Sequence, residues 1–293
     1  MRVQYFRQPL FIPVFDGYDC FENSHIGLTG HNGVLGGVLR SRLEDNGVRV
    51  SCYSGNVNDT QGMEKWFVRH KFTHFFHFAA VVPINVVDQN QLLAYETNVI
   101  GTFNVCKQII LTQRNTWLFL ASTSHVYNPS GENIPQKMRV GISEEPKTFY
   151  GKSKLAAEKI AIPLLESSHI NYCVGRIFSF SSHLQKEPYL VPSLRKKILE
   201  ADDNSVVEII NPDSIRDIID AETVIDCLLY LAARCAHGVL NVGSGEGMKI
   251  VEIARLIASL EKKEIVFSGV NVDRPDSLIA DVEDLKSIVS SFS

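Results

Sequence analysis

From His25 onward, short apolar runs alternate with longer stretches of helical periodicity, the order required by a parallel sheet with helices on both of its faces. The pattern predicts strands over 25–29, 47–52, 73–79, 116–122 and 171–177, and helices over 33–46, 60–70, 89–113 and 150–168. Ser54-Gly55-Asn56-Val57-Asn58-Asp59 follows the second strand at once, so the third strand of a doubly wound sheet and its connection are expected to be compressed or absent. Farther along, 209–219 and 238–242 read as two more strands around a helix at 221–235. No internal repeat or low-complexity linker interrupts the series. Residues 1–24, rich in Phe and Tyr, fit neither period and are read as an N-terminal arm of unknown role, either an extra strand or a cover over the sheet.

Composition narrows the function classes. The 293 residues suffice for one large or two closely joined domains with a substantial core. Formal net charge is −4, and the one compact basic run, Arg195-Lys196-Lys197, sits in a helical pattern, where a solvated face is favoured over a nucleic-acid footprint. No nucleic-acid partner and no metal are expected. Cys20, Cys52, Cys106, Cys173, Cys227 and Cys235 are scattered without a CxxC pair, mostly in apolar stretches, and read as buried free thiols in a reducing cytoplasm. No apolar run approaches the roughly 20 residues that span a bilayer, since even 218–233 contains Asp220, Glu222 and Asp226. The run from Leu10 to Phe15, behind Arg2 and Arg7, is broken by Pro13 and lacks a small-residue cleavage site, so it is not read as a signal peptide.

Candidate chemistry lies in two segments far apart. In Thr29-Gly30-His31-Asn32-Gly33-Val34-Leu35-Gly36, glycines recur every third residue where a strand hands over to a helix. One glycine permits the tight turn, one lets pyrophosphate approach the backbone, and one packs helix against sheet. An ordinary flexible loop would show the same spacing. In Tyr150-Gly151-Lys152-Ser153-Lys154, Tyr150 and Lys154 are four apart and so share one helix face. A tyrosine ionises near 10 when free; an adjacent ammonium and an oxidised nicotinamide would stabilise its phenolate and make it a usable acid or base. The competing reading is an exposed tyrosine beside a solvated lysine. Upstream, the apolar run Trp117 to Ala121 leads into Ser122-Thr123-Ser124-His125, at the strand end where doubly wound sheets carry their active sites. Thr123 is the third candidate, as the hydroxyl that holds a substrate oxygen against Tyr150.

Taken together, these segments resemble an extended short-chain dehydrogenase/reductase of the nucleotide-sugar epimerase, dehydratase and reductase group. Further matches are His77-Phe78-Ala79-Ala80, Asn98-Val99-Ile100-Gly101-Thr102, Arg216-Asp217-Ile218-Ile219 and Asn241-Val242-Gly243-Ser244-Gly245-Glu246, so the likeness spans residues 25–286. It implies an α/β fold, a doubly wound parallel sheet (Rossmann-like) with a small interleaved C-terminal substrate-binding region. The corresponding division is a dinucleotide-binding domain over 25–170 and a substrate-binding region over 171–293. It also implies a cofactor site at Gly30, Asn32, Gly33, Val34, Asn56, Val57, Ala79, Ala80, Asn98, Tyr150 and Lys154. The substrate it implies is a nucleotide-diphosphate sugar, with Arg216 on the diphosphate and Arg274, in Asp273-Arg274-Pro275-Asp276, as a second diphosphate arginine. Guanidinium suits that task because its planar donor fork keeps its charge. A structural ion pair is the alternative for Arg216. Arg176 matches a position near the substrate region, with a structural role as its alternative. A homodimer through the helices at 89–113 and 150–168 is also implied.

Departures from the family pattern select among its reactions. No carboxylate follows the second strand in Val50-Ser51-Cys52-Tyr53-Ser54, which leans toward NADP over NAD, with Arg40 or Arg42 as candidate phosphate contacts. Ser124-His125 stands where similar 4,6-dehydratases carry an Asp-Glu pair, so dehydration is not expected. His125 also occupies the place of a cysteine used for epimerisation in GDP-fucose synthase-like enzymes, making it a candidate acid or base, with Tyr189 as partner. The leading expectation is NADP-dependent reduction of a nucleotide-linked 4-keto-6-deoxy sugar. An NAD-dependent nucleotide-sugar 4-epimerase and a non-catalytic cofactor-binding regulatory subunit are the alternatives.

Overall fold

The computed structural model describes residues 6, 8–82, 84–129, 136–142 and 144–292. Strands β1 (His25–Thr29), β2 (Arg49–Tyr53), β3 (His74–His77) and β4 (Trp117–Thr123) enter one sheet; β5 (Lys137–Met138) pairs elsewhere, and β6 (Tyr172–Ile177) returns to it. Four short strands lie outside: β7 (Ser179–Ser181), β8 (Val206–Ile210), β9 (Ile215–Arg216) and β10 (Ile218–Asp220). With β11 (Gly238–Val242) the sheet reads β11-β6-β4-β3-β1-β2, every pair parallel. Every residue of β1 and β6 is buried, as parallel strands covered on both faces must be. β2 closes one edge, so among the described residues the third strand of a doubly wound half is absent, in line with the compressed segment after residue 53. β12 (Met248–Lys249), β13 (Val266–Val270) and β14 (Ser277–Ala280) complete three small sheets, β10-β7, β12-β9-β14-β5 and β13-β8.

The helices are α1 (Val34–Asp45), α2 (Thr60–Arg69), α3 (Ile84–Gln89), α4 (Gln91–Tyr95), α5 (Gly101–Thr112), α6 (Phe149–Ser167), α7 (Leu190–Glu200), α8 (Ala221–Ala233), α9 (Ile250–Leu260) and α10 (Glu283–Ser290). The single helix expected over 89–113 is not continuous. Asn90 leaves helical geometry and its side chain accepts from Leu93 N at 3.1 Å, restarting the chain as α4, and Glu96–Ile100 is π-helical before α5. The strand expected over 209–219 is likewise split. Asn211 has φ +50°, Pro212 follows it, and Ser214 N donates to Asn211 O at 3.0 Å, which turns the chain between β8 and β9. Phe75, Phe76 and Phe119 are fully buried in the sheet; each such side chain contributes about 1.5–3 kcal/mol relative to exposure.

Within the arm, the described residues form no strand. They make a turn and a short 3-10 helix, Tyr18–Phe21, that lies against α1, where Arg42 donates to the Tyr18 hydroxyl, and against the start of β3, where Phe21 meets His74 at 5.4 Å between ring centroids, so the arm covers part of the sheet. Phe15 meets Tyr230 at 5.0 Å and Phe292 at 5.4 Å between ring centroids. Asp226 of α8 accepts from Phe15 N and Gln8 Nε2 and pairs with Arg42 of α1 at 2.7 Å. Residues 1–5 and 7, Arg2 and Arg7 among them, lie outside the described residues. A cavity of about 690 Å³ opens between the arm, α1 and α8, lined by Gln8, Asp16, Arg42, His183 and Asp226 among others, and shares no lining residue with the cleft below. The six cysteines are free, but only Cys106, Cys173 and Cys227 are buried; Cys20 and Cys235 are exposed, contrary to the reading of all six as buried. Among the described residues no helix is long and apolar enough to cross a membrane.

Candidate functional site

Strand order reverses at β1, with β2 on one side and β3 on the other, so the crevice beyond their carboxyl ends is the natural ligand position. There Gly30 has φ +73°, and a Cβ on it would stand 2.6 Å from Ala79 N and from the Phe78 carbonyl carbon. Only glycine allows the loop after β3 to press on the turn after β1. Gly33 N donates to Gly30 O at 3.0 Å, and Gly33 caps α1 without any side-chain bond, leaving the helix N-terminus clear for an anion. Asn32 and Gly33 are exposed on this rim, while Val34, Ala79 and Ala80 are half-buried behind it. After β2, Asn56 accepts from Asn58 N at 2.9 Å, and the buried Val57 is tied to α5 through Asn104 Nδ2 at 3.0 Å. Such a bare, tight turn at an uncapped helix fits the pyrophosphate of a dinucleotide.

Beside this crevice, β4 delivers Thr123 and a 3-10 turn, Ser124–Val126, against the start of α6. Thr148 caps α6 by accepting from Gly151 N at 3.1 Å. A Cβ on Gly151 would collide with the His125 carbonyl, so the glycine lets the first turn of α6 lie directly on the 3-10 turn. The result brings the Thr123 hydroxyl into a hydrogen bond with the Tyr150 phenol and the His125 ring to 5.9 Å from the Tyr150 ring. Lys154 follows one turn later; Tyr150 is 8% and Lys154 5% exposed. Asn98, in the π-helical turn, accepts from Val81 N at 2.8 Å and donates to Val81 O and Ser153 Oγ, both at 3.0 Å. Ser153 in turn donates to Tyr150 O at 2.8 Å.

Burial sets the charges of this group. It pushes the Tyr150 phenol well above 10, opposed by the Thr123 hydrogen bond. It also pulls Lys154 down to about 8, opposed by Glu158. His125 falls to about 4, chiefly through burial and secondarily through Arg216. At neutral pH the cleft therefore presents a protonated phenol, an ammonium and a neutral imidazole.

The arginines separate. Arg176 is 2% exposed and does not open on the cleft. It clasps Glu158 through Nε at 3.2 Å and Nη2 at 2.6 Å, and Nη1 donates to Glu144 at 2.7 Å and to Tyr127 OH at 3.1 Å. Ser122 Oγ also donates to Glu158. The geometry supports the structural alternative for Arg176 in place of a substrate contact. Arg216, on β9, pairs with Asp276 at 2.7 Å and is electrostatically felt by His125. Arg274 is exposed in the loop before β14, and Tyr189 is half-buried at the start of α7, within electrostatic reach of Tyr150. Glu158, Asp276 and Ser122 were not singled out in sequence. Glu158 had a readable signal, since Tyr150, Lys154 and Glu158 repeat at the four-residue spacing of one helix face.

The family model described as "NAD dependent epimerase/dehydratase family" matches residues 26–243. The UDP-glucose 4-epimerase of Halalkalibacterium halodurans is 25% identical over 265 residues, covering 82% of this chain and 77% of its own length. The GDP-6-deoxy-D-mannose reductase of Pseudomonas aeruginosa is 26% identical over 193 residues, 64% of this chain and 63% of its own. Among solved structures, RMD from Pseudomonas aeruginosa complexed with NADPH superposes with a TM-score of 0.82 at 19% identity, over 91% of this chain and 92% of that one. The likeness shows the doubly wound α/β fold expected from the sequence.

Proposed function

The chain belongs to the NAD dependent epimerase/dehydratase family, and from that membership we propose that it reduces a nucleotide-linked 4-keto-6-deoxy sugar with NADP as its cofactor. Gly30, Asn32, Gly33 and Val34 would hold the pyrophosphate, Asn56 and Val57 the adenosine end, and Ala79, Ala80, Asn98 and Lys154 the nicotinamide side. When bound, the cofactor supplies the hydride that the keto carbon accepts. Tyr150, protonated at neutral pH, gives its proton to the keto oxygen. Thr123 orients that oxygen, and the Lys154 ammonium steadies the phenolate left behind. Arg216 and Arg274 would take the diphosphate, Arg216 exchanging its Asp276 partner for phosphate, while His125 and Tyr189 flank the sugar. Exposed apolar Leu92, Leu93, Tyr95, Ile100 and Phe103 along α4 and α5 support a homodimer through this face.

One observation carries the choice of NADP. Cys52 and Tyr53 end β2 and Ser54 follows, none of them a carboxylate, and Arg40 of α1 hydrogen-bonds Cys52 beside them. Arg42, the other candidate, is held by Asp226 and Tyr18. Arg40, whose own ion pair with Glu44 at 3.7 Å is largely solvent-exposed and so exchangeable, is therefore the better-placed cation for a 2′-phosphate. The Halalkalibacterium halodurans relative, matched over 82% of this chain, is named an epimerase, which favours the 4-epimerase with retained NAD as the second reading. The test is NADPH and NADH oxidation with dTDP-, GDP-, CDP- and UDP-linked 4-keto-6-deoxy sugars, with products identified by NMR. Stoichiometric NADPH loss supports the reductase; no net oxidation, with NAD copurifying, supports the epimerase.

A further inference from the structure

We propose that His77 is a positioning residue: a neutral imidazole, protonated on Nε2 only, that relays one hydrogen-bond direction across the sheet and thereby fixes the 79–82 loop of the cofactor crevice from both ends. His77 ends β3 and is 2% exposed; its neighbours Thr29, Asn98 and Thr102 are 0%, 0% and 3% exposed. Nδ1 lies 2.7 Å from Thr29 Oγ1, and Nε2 lies 3.0 Å from Thr102 Oγ1. Distances alone leave the proton positions open, but the hydroxyls decide them. Thr102 has one proton and gives it to Asn98 O at 2.7 Å, four residues back in the π-helical turn. It can then only accept from His77, which puts the proton on Nε2. Nδ1 is left as an acceptor, so Thr29 must donate to it, which turns the Thr29 lone pairs toward Ala79 N at 3.4 Å.

The relay thus runs Thr29 to His77 to Thr102 to the Asn98 carbonyl, each donor matched to one acceptor in a dry interior where an unmatched group is costly. Its two ends are the two supports of the crevice loop. Thr29 receives Ala79 N, and Asn98, whose carbonyl the relay holds, grips both backbone groups of Val81 and reaches Ser153 on α6. A protonated ring would put a second N–H against Thr29 and reverse its hydroxyl away from the assigned direction. Burial, and secondarily the nearby Lys154 cation, keep the ring neutral by pulling its pKa to about 3.

The inference rests on the crevice being a dinucleotide site, but not on which sugar is reduced, and two measurements separate the parts. Long-range 1H–15N NMR of the 15N-histidine protein at pH 7 reads the tautomer without any ligand; the Nε2–H pattern is expected, and Nδ1–H or imidazolium overturns the relay. Calorimetric titration of NADPH into Thr102→Val, which removes the hydroxyl at equal shape, is expected to show at least fivefold weaker binding, with Thr102→Ser within twofold of the parent. Equal affinity for Thr102→Val and the parent overturns the positioning role. Absence of both NADPH and NADH binding by the parent, stripped of any copurified NAD, overturns the dinucleotide site, and with it the positioning role, while the tautomer measurement stands on its own.

Discussion

On the cleft wall built by β4 and α6, Thr123, Tyr150 and Lys154 are nearly buried and each is braced by further buried groups, whereas on the facing wall Arg216 keeps 22% of its side chain exposed and Arg274 stands in an open loop. The two arginines nearest these walls make the contrast concrete. Arg176 spends four of its five N–H donors inside the protein, on Glu158, Glu144 and Tyr127. Arg216 gives its Nη1 to Ile215 O and Asp276, in an ion pair that is only part-buried and so more exchangeable than the Arg176 clasp. The chemistry wall is built before ligand arrives, and the recognition wall is left to be completed by it.

The contrast breaks most sharply at Tyr150. Tyr150→Phe should lower kcat about 10²–10⁴-fold, the range for losing a general acid, with NADPH affinity by calorimetry unchanged within about threefold; full activity would remove Tyr150 from the mechanism. Next comes the brace. Arg176→Met leaves the buried Glu158 without its guanidinium partner and should cost about 3–5 kcal/mol in urea unfolding; Glu158→Gln, after which Arg176 keeps Glu144 at 2.7 Å, should cost less. Arg216→Ala should do the opposite, leaving stability within about 0.5 kcal/mol while raising the nucleotide-sugar KM about 10–100-fold, as loss of a charge-assisted hydrogen bond predicts. If Arg216→Ala destabilised the fold and Arg176→Met did not, the two walls would have been assigned backwards.

The smallest effect is one of pH. Lys154 has its pKa lowered from 10.5 to about 8 by burial, so the ammonium that supports Tyr150 is lost as pH rises through about 8, and the reduction rate should fall there. Stability moves the other way. Between about 8 and 10.5 the unfolded chain binds the proton and the folded chain does not, so this group makes the fold more stable as pH rises, by about 1.4 kcal/mol per pH unit at most. Comparing unfolding midpoints of the parent and Lys154→Met across that window isolates the contribution. A Lys154→Met profile parallel to the parent's would show that burial does not hold the lysine's pKa down.

The same contrast explains what sequence could and could not tell. The glycine turn and the Tyr150 and Lys154 pair were legible because their chemistry is local: three-residue spacing at a strand end, four-residue spacing on a helix. The Arg176 clasp joins residues 18 and 32 apart, and the His77 bond to Thr29 joins residues 48 apart, so neither leaves a period in the chain. An arginine at a strand end reads identically whether it faces a cleft or a core. Apolar periodicity carried the helix over 89–113 but not its π-helical turn, because shifting one carbonyl partner leaves the buried face almost unchanged. The split of 209–219 was written in Asn211-Pro212, a turn signal inside an otherwise convincing apolar run.

The arm has a practical consequence for anyone who would shorten the chain to its motif-bearing part. A version starting at β1 would uncover the rings of Tyr230 and Phe292 that Phe15 covers, and would strip Asp226 of the Phe15 and Gln8 donors. The two rings, 5.2 Å apart, would become one sticky saddle at α8 and the end of α10, and Asp226 would keep its ion pair with Arg42 alone. Trimming meant to tidy the protein would instead hand it a new self-association site, built from residues that no motif search would flag.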